Sequence, residues 1–176
     1  MEFFNKALEE FKNKHYESSI IYFEKSIIYK FNIDTSYFNI GVCYMKLNNY
    51  ETSLIMFNFI NNNEEIPNIL YQKGVCNFHI ANYKQSLANY FKIFSHSHTL
   101  NEVIINNNIA VNYIKLKEYE KGLEYLKKCI KLDHNYVSSY INIGECYNKL
   151  NKYNQSLEFS YMGLKLNNND PKNTVL

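Results

Sequence analysis

The stretch Tyr37-Phe38-Asn39-Ile40-Gly41-Val42-Cys43-Tyr44-Met45-Lys46-Leu47-Asn48-Asn49-Tyr50-Glu51-Thr52-Ser53-Leu54-Ile55-Met56-Phe57 decides the fold. In its first half Tyr37, Ile40, Gly41 and Tyr44 fall at i, i+3, i+4 and i+7, which is one apolar face of a helix. Asn48-Asn49 supplies a turn, because Asn tolerates the left-handed conformation in which helices often end. Leu54, Phe57 and Ile60 then resume the helical spacing. The stretch predicts two helices joined by a tight turn. Gly41 lets them approach where a larger side chain would hold them apart.

The same unit recurs on both sides. Tyr16, Tyr50, Tyr83, Tyr119 and Tyr153 stand 34, 33, 36 and 34 residues apart. Each opens a similar segment, such as Tyr16-Glu17-Ser18-Ser19-Ile20 or Tyr153-Asn154-Gln155-Ser156-Leu157. Nine residues before each Tyr lies a small residue: Ala7, Gly41, Gly74, Ala110 and Gly144. One helix pair cannot bury its apolar face alone, so neighbouring pairs must stack on it. Residues 1–33, 34–66, 67–102, 103–136 and 137–170 are the expected units of a single array over 1–176, with a short tail at 171–176.

Tyr37-x-x-Ile40-Gly41-x-x-Tyr44 with Ser53-x-x-x-Phe57 resembles the tetratricopeptide repeat, and Tyr140-x-x-Ile143-Gly144-x-x-Tyr147 resembles it equally well. The third and fourth units depart from the pattern, with Leu70 and Asn106 at the aromatic position, and the Pro of the repeat end is represented only by Pro67 and Pro171 near two junctions. The resemblance implies an all-α chain: a right-handed α-solenoid of stacked antiparallel helix pairs, whose concave groove is made by the first helix of each pair. It also implies a non-catalytic scaffold that binds a partner peptide or amphipathic helix in that groove.

Two rows of residues point to the groove. Two positions before each small residue stand Asn5, Asn39, Gln72, Asn108 and Asn142. A side-chain amide is both donor and acceptor, so a row of them can pair with a partner's backbone. Some members of the family use such an Asn ladder. With 28 Asn and 3 Gln in 176 residues, five matches in five by composition alone is on the order of 2 in 10,000. Repeat consensus without a binding role stays open. Next to this row run Phe4, Leu8 and Phe11, then Phe38, Val42 and Met45, then Tyr71, Val75 and Phe78, an apolar stripe over three units. The corresponding residues are Asn107, Val111 and Ile114 in the fourth unit and Ile141, Glu145 and Asn148 in the fifth. The resemblance places this stripe in the groove, where an apolar cluster suits a peptide or helix; the alternative is that part of it is core between repeats.

Lys46, Lys115 and Lys149, with Lys12 and His79 in the same phase, form a basic flank that favours acidic partners or simply complements helix C-termini. The carboxylate clamp by which some family members hold chaperone tails needs Lys and Arg on the first helices, and this chain has mainly Asn there. Cys43, Cys76 and Cys146 each fall two residues after their Gly, and Cys129 lies on a second helix; this repeated phase predicts packing. His96-x-His98 is too small a set to hold a metal. No motif for a nucleophile, phosphate loop or paired carboxylates is present, so neither enzymatic activity nor a cofactor is expected.

With 19 Lys, no Arg and a net charge of +2, the chain lacks the basic field that nucleic acids need. An RNA-binding helical array is the weakest alternative. The start, Met1-Glu2-Phe3-Phe4, does not resemble a secretory signal, and no apolar run spans a bilayer. A cytoplasmic or nuclear location with reduced thiols is expected. Leu157, Tyr161, Leu164 and Leu166 give the last helix an apolar face with no later helix to cover it. The chain is thus expected to be a fragment of a longer repeat protein, or to self-associate or dock through that helix.

Overall fold

The computed structural model describes residues 1–60, 66–94 and 101–168. The His96-x-His98 pair and the 171–176 tail lie outside them. Helices are the only regular elements among the described residues. The chain divides into two compact units, Met1–Ile93 and Phe94–Leu176.

The first unit holds α1 (Glu2–Lys12), α2 (Tyr16–Ile28), α3 (Ile33–Lys46), α4 (Tyr50–Asn58), α5 (Pro67–His79) and α6 (Tyr83–Ile93). The second holds α7 (Glu102–Lys115), α8 (Tyr119–Leu132), α9 (Val137–Lys149) and α10 (Tyr153–Asn168). Within each unit every helix packs on its neighbours in chain order. The five phased Tyr residues are the first residues of α2, α4, α6, α8 and α10. One detail of the expectation shifts: α4 ends at Asn58, so Ile60 lies beyond it.

The turn inside each pair is the same structure five times. Two residues before each Tyr the chain takes positive φ, at Lys14, Asn48, Ala81, Lys117 and Asn151. The next amide then reaches back to a carbonyl five residues earlier, as from Asn49 to Tyr44 at 2.8 Å and from Glu118 to Tyr113 at 2.8 Å. That is the Schellman end of a helix. Only two of the five positions carry the Asn that suits it. Ala81 holds φ 60° against the clash of its Cβ, which costs about 1–2 kcal/mol. Ala81→Gly is therefore expected to stabilise the protein by about 0.5–1 kcal/mol, after allowing for glycine's freer unfolded chain. Urea titration followed by circular dichroism measures it; a lower midpoint would contradict this account of the turn.

A second repeated device locks each pair. Ser19, Ser53, Ser86 and Ser156 donate their hydroxyls to the carbonyls of Ala7, Gly41, Gly74 and Gly144 at 2.7–2.8 Å. Each bond joins the second helix to the small residue twelve positions earlier. The fourth pair departs from this, with Gly122 where the others have Ser. At two glycines the close approach is to an aromatic ring. A Cβ on Gly41 would stand 2.6 Å from Phe57 Cε1, and one on Gly74 would stand 2.7 Å from Tyr90 Cε1.

The core of the first unit gathers Phe4, Ala7, Ile20, Phe23, Ile40 and Cys43. That of the second gathers Ala110, Ile114, Leu123, Leu126, Ile143, Cys146 and Tyr147. All four thiols are free and buried, Cys43, Cys76 and Cys146 as their shared phase predicts. Cys43 and Cys76 donate to Ser19 and Ser53, the serines that lock the preceding pair. Burial pushes all four thiols up, Cys146 to about 12 with Glu145 and Glu120 adding to the effect. None is a thiolate at neutral pH.

Candidate partner-binding surface

In the first unit the expected stripe lies on one face of α3 and α5. Phe38, Val42 and Met45, then Tyr71, Val75 and Phe78, are all half-buried. Their inner edges rest on the second helices. The Phe38 ring lies 5.7 Å from Phe57, Tyr71 lies 5.9 Å from Tyr90, and Phe78 lies 5.6 Å from Tyr83. Each aromatic is thus anchored at one edge and still open to solvent. On α1 the stripe changes character: Phe4 is core, Phe11 is half-buried and Leu8 is exposed.

The second unit presents no comparable stripe. Ile114 and Asn107 are buried, Val111 is half-buried, and Ile141, Glu145 and Asn148 are exposed on α9. At these positions the half-buried apolar side chains are those of α3 and α5.

The amide row takes a more divided form. Asn5 is exposed, and Asn39, Gln72, Asn108 and Asn142 are half-buried. Asn39 donates its Nδ2 to the Thr35 carbonyl of its own helix at 2.9 Å. Asn142 donates its Nδ2 to Asn107 Oδ1 at 3.0 Å, tying α9 to α7. Each thus has one of its two amide protons engaged inside the protein, and its amide oxygen can accept two bonds. Lys46, Lys115 and Lys149 are exposed in the last turns of α3, α7 and α9, where the helix dipole favours a cation.

Among the described residues no group of three or more His, Cys, Asp or Glu side chains could hold a metal. No described helix is long and apolar enough to cross a membrane.

The sequence profile of the tetratricopeptide repeat matches residues 34–58, 104–136 and 137–170, together just over half of the chain. The chain belongs to the tetratricopeptide repeat family. Members of this family are generally non-catalytic interaction scaffolds. The first and third helix pairs fall outside the matched segments, yet they keep the tetratricopeptide phase, the Ser-to-carbonyl lock and the Schellman turn. Solved structures share the fold. MamA is 14% identical with a TM-score of 0.83, over 94% of this chain and 96% of that one. A MamA segment from Desulfovibrio magneticus RS-1 is 16% identical with a TM-score of 0.86, over 96% and 95%. YrrB, described as a TPR protein with an unusual peptide-binding site, is 14% identical with a TM-score of 0.78, over 96% and 86%. No curated protein matches the chain in sequence. The fold class is therefore the tetratricopeptide α-solenoid of stacked helix pairs.

Proposed function

We propose that the protein is a scaffold that receives a partner peptide or amphipathic helix on the α3 and α5 face of its first unit. One observation carries this reading: six apolar side chains at the same repeat phase, Phe38, Val42, Met45, Tyr71, Val75 and Phe78, are half-exposed on successive first helices. Partly open apolar clusters of this kind are contact surfaces. Aromatic and Met side chains also suit an apolar partner face. The peptide-binding description of YrrB agrees with this reading. In the same proposal Asn5, Asn39 and Gln72 of that unit meet the partner's backbone, and Lys46 favours an acidic flank. The chain works in the cytoplasm or nucleus, without a cofactor.

Affinity capture from native lysate tests the amide row, using the wild-type chain and Asn39→Ala/Gln72→Ala. The expected result is a discrete partner retained by the wild type and reduced at least about tenfold in the folded variant, about 1.4 kcal/mol. Unchanged capture by a folded variant removes the row from the site and leaves the stripe.

Self-association is the second reading, and α10 favours it. Leu157, Tyr161 and Leu164 are exposed at 74%, 66% and 56%. Light scattering separates the two: a monomer supports the receptor reading, and a dimer abolished by Leu157→Glu supports this one.

A further inference from the structure

Helix α10 packs through one side only. Phe159 lies 5.6 Å from the Tyr147 ring of α9, and a Cβ on Gly163 would stand 3.2 Å from Tyr140 Cβ. About 120–180° round the helix from that contact, Leu157, Tyr161 and Leu164 form an exposed apolar band at i, i+4 and i+7. The other second helices show what is unusual here. Ile20 and Leu123 hold the phase of Leu157 in α2 and α8, and both are covered. Ile20 shares a core with Ile40 and Cys43 of α3, and Leu123 shares one with Ile143 and Cys146 of α9. Tyr161 is different, because α2 and α8 carry Glu24 and Lys127 at its phase, both exposed. The apolar band of α10 therefore extends onto a side that stays charged and open in those two helices. A contiguous exposed face of this kind marks an interface.

The charges beside the band identify its occupant. Glu158 and Lys165 are exposed on the same edge, each about 90–100° round from the band's centre. A second copy of α10 can be set antiparallel on the first, with its Leu164 opposite Leu157. Its Lys165 then comes within two residues of Glu158, about 3 Å along the axis, and a two-fold axis repeats the pair at the other end. Parallel pairing would instead set Glu158 beside Glu158 and Lys165 beside Lys165, which is unfavourable. Head-to-tail stacking would need an apolar face on α1. That helix exposes Glu2, Asn5, Lys6, Glu9 and Lys12 beside Leu8, so it does not match.

We infer that α10 pairs with α10 of a second copy, antiparallel about a two-fold axis beside Tyr161. Leu157 packs on Leu164 and Glu158 meets Lys165, each contact made twice. The interface is closed, because both copies use the same surface and none is left for a third. The inference rests on the self-association reading above and gives it a register and an orientation. The stripe on α3 and α5 takes no part in the pairing, so a dimer carries two contact faces.

Sedimentation velocity of the full chain over a concentration series tests the pairing, with circular dichroism to check that each variant folds. The wild type is expected to pass from monomer to dimer and no further. Leu157→Glu/Leu164→Glu is expected to stay monomeric; should it fail to fold, Tyr161→Glu takes its place. Lys165→Glu sets like charges together at both ends and weakens the dimer about tenfold, and Glu158→Lys/Lys165→Glu restores it. Tyr161→Cys is expected to give a disulfide-linked dimer on mild oxidation, since the native thiols are all buried and the two new ones meet across the axis. A wild type that stays monomeric overturns both the inference and the self-association reading, and so does a dimer that survives Leu157→Glu/Leu164→Glu. Assembly that continues beyond the dimer overturns the closed pair. A dimer abolished by Leu157→Glu/Leu164→Glu but unchanged by Lys165→Glu overturns the antiparallel pairing alone and leaves self-association through α10 standing.

Discussion

Phe57→Ala is expected to destabilise the protein by about 3–5 kcal/mol, the usual cost of emptying a buried aromatic site. Phe57 is fully buried on α4. Its ring faces Gly41 on α3 at less than contact distance for any added side chain and also supports Phe38 at 5.7 Å. One residue thus seals the second helix pair and positions part of the stripe. At roughly 2–4 °C per kcal/mol for a chain of this size, the melting temperature falls by about 10 °C. The same geometry predicts a coupled pair. Gly41→Ala alone forces a methyl to 2.6 Å from Phe57 Cε1. That overlap outweighs the roughly 1 kcal/mol of helix propensity gained. In a Phe57→Leu background the atoms in conflict are gone, so Gly41→Ala becomes neutral or stabilising. A double-mutant cycle by urea denaturation measures the coupling. Equal destabilisation in both backgrounds would contradict the close-approach role of the small residue.

The largest effect on binding is expected from Val42→Glu/Val75→Glu. The two residues occupy the same repeat phase on α3 and α5, at the centre of the proposed contact face. The fold tolerates a carboxylate at this phase, because Glu145 holds the equivalent place on α9 and is exposed. Each new Glu can lay its stem over neighbouring apolar surface and keep its charge in water, so the stability cost stays near 1 kcal/mol per site. A seated partner would bury both charges without a counter-ion, at several kcal/mol. Affinity for a captured partner is therefore expected to fall about 100-fold or more, about 2.7 kcal/mol. Isothermal titration with the purified partner, beside a thermal melt, checks both halves. Unchanged affinity in a folded variant would place the partner elsewhere.

Much of this was legible in the sequence, for physical reasons. A residue that starts a helix recurs wherever the repeat restarts, so five Tyr residues mark five helix starts to the residue. Gly41 and Gly74 announced close approach because only a missing Cβ leaves room for Phe57 and Tyr90. Cys43, Cys76 and Cys146 announced packing by phase, and each is buried. The Ser-to-carbonyl lock was visible as a Ser three places after four of the five Tyr residues, though its meaning needed the twelve-residue partner. Other features left no trace. Lys14, Ala81 and Lys117 adopt the left-handed turn although their residue types disfavour it, because the repeat context imposes the turn. The engagement of Asn142 with Asn107 joins residues 35 positions apart and depends on side-chain orientation.

The central claim, that a partner lies on the α3 and α5 face, is tested most directly by site-specific photocrosslinking. A benzophenone amino acid replaces Phe78, half-buried in the stripe, and in a second variant Ile21, 52% exposed on α2 away from it. Irradiation in native lysate is followed by peptide mapping of the adducts. The account predicts one discrete partner segment crosslinked from position 78 and lost in Val42→Glu/Val75→Glu, with none from position 21. Adducts only from position 21, or the same adducts from both positions regardless of the stripe variant, would contradict it.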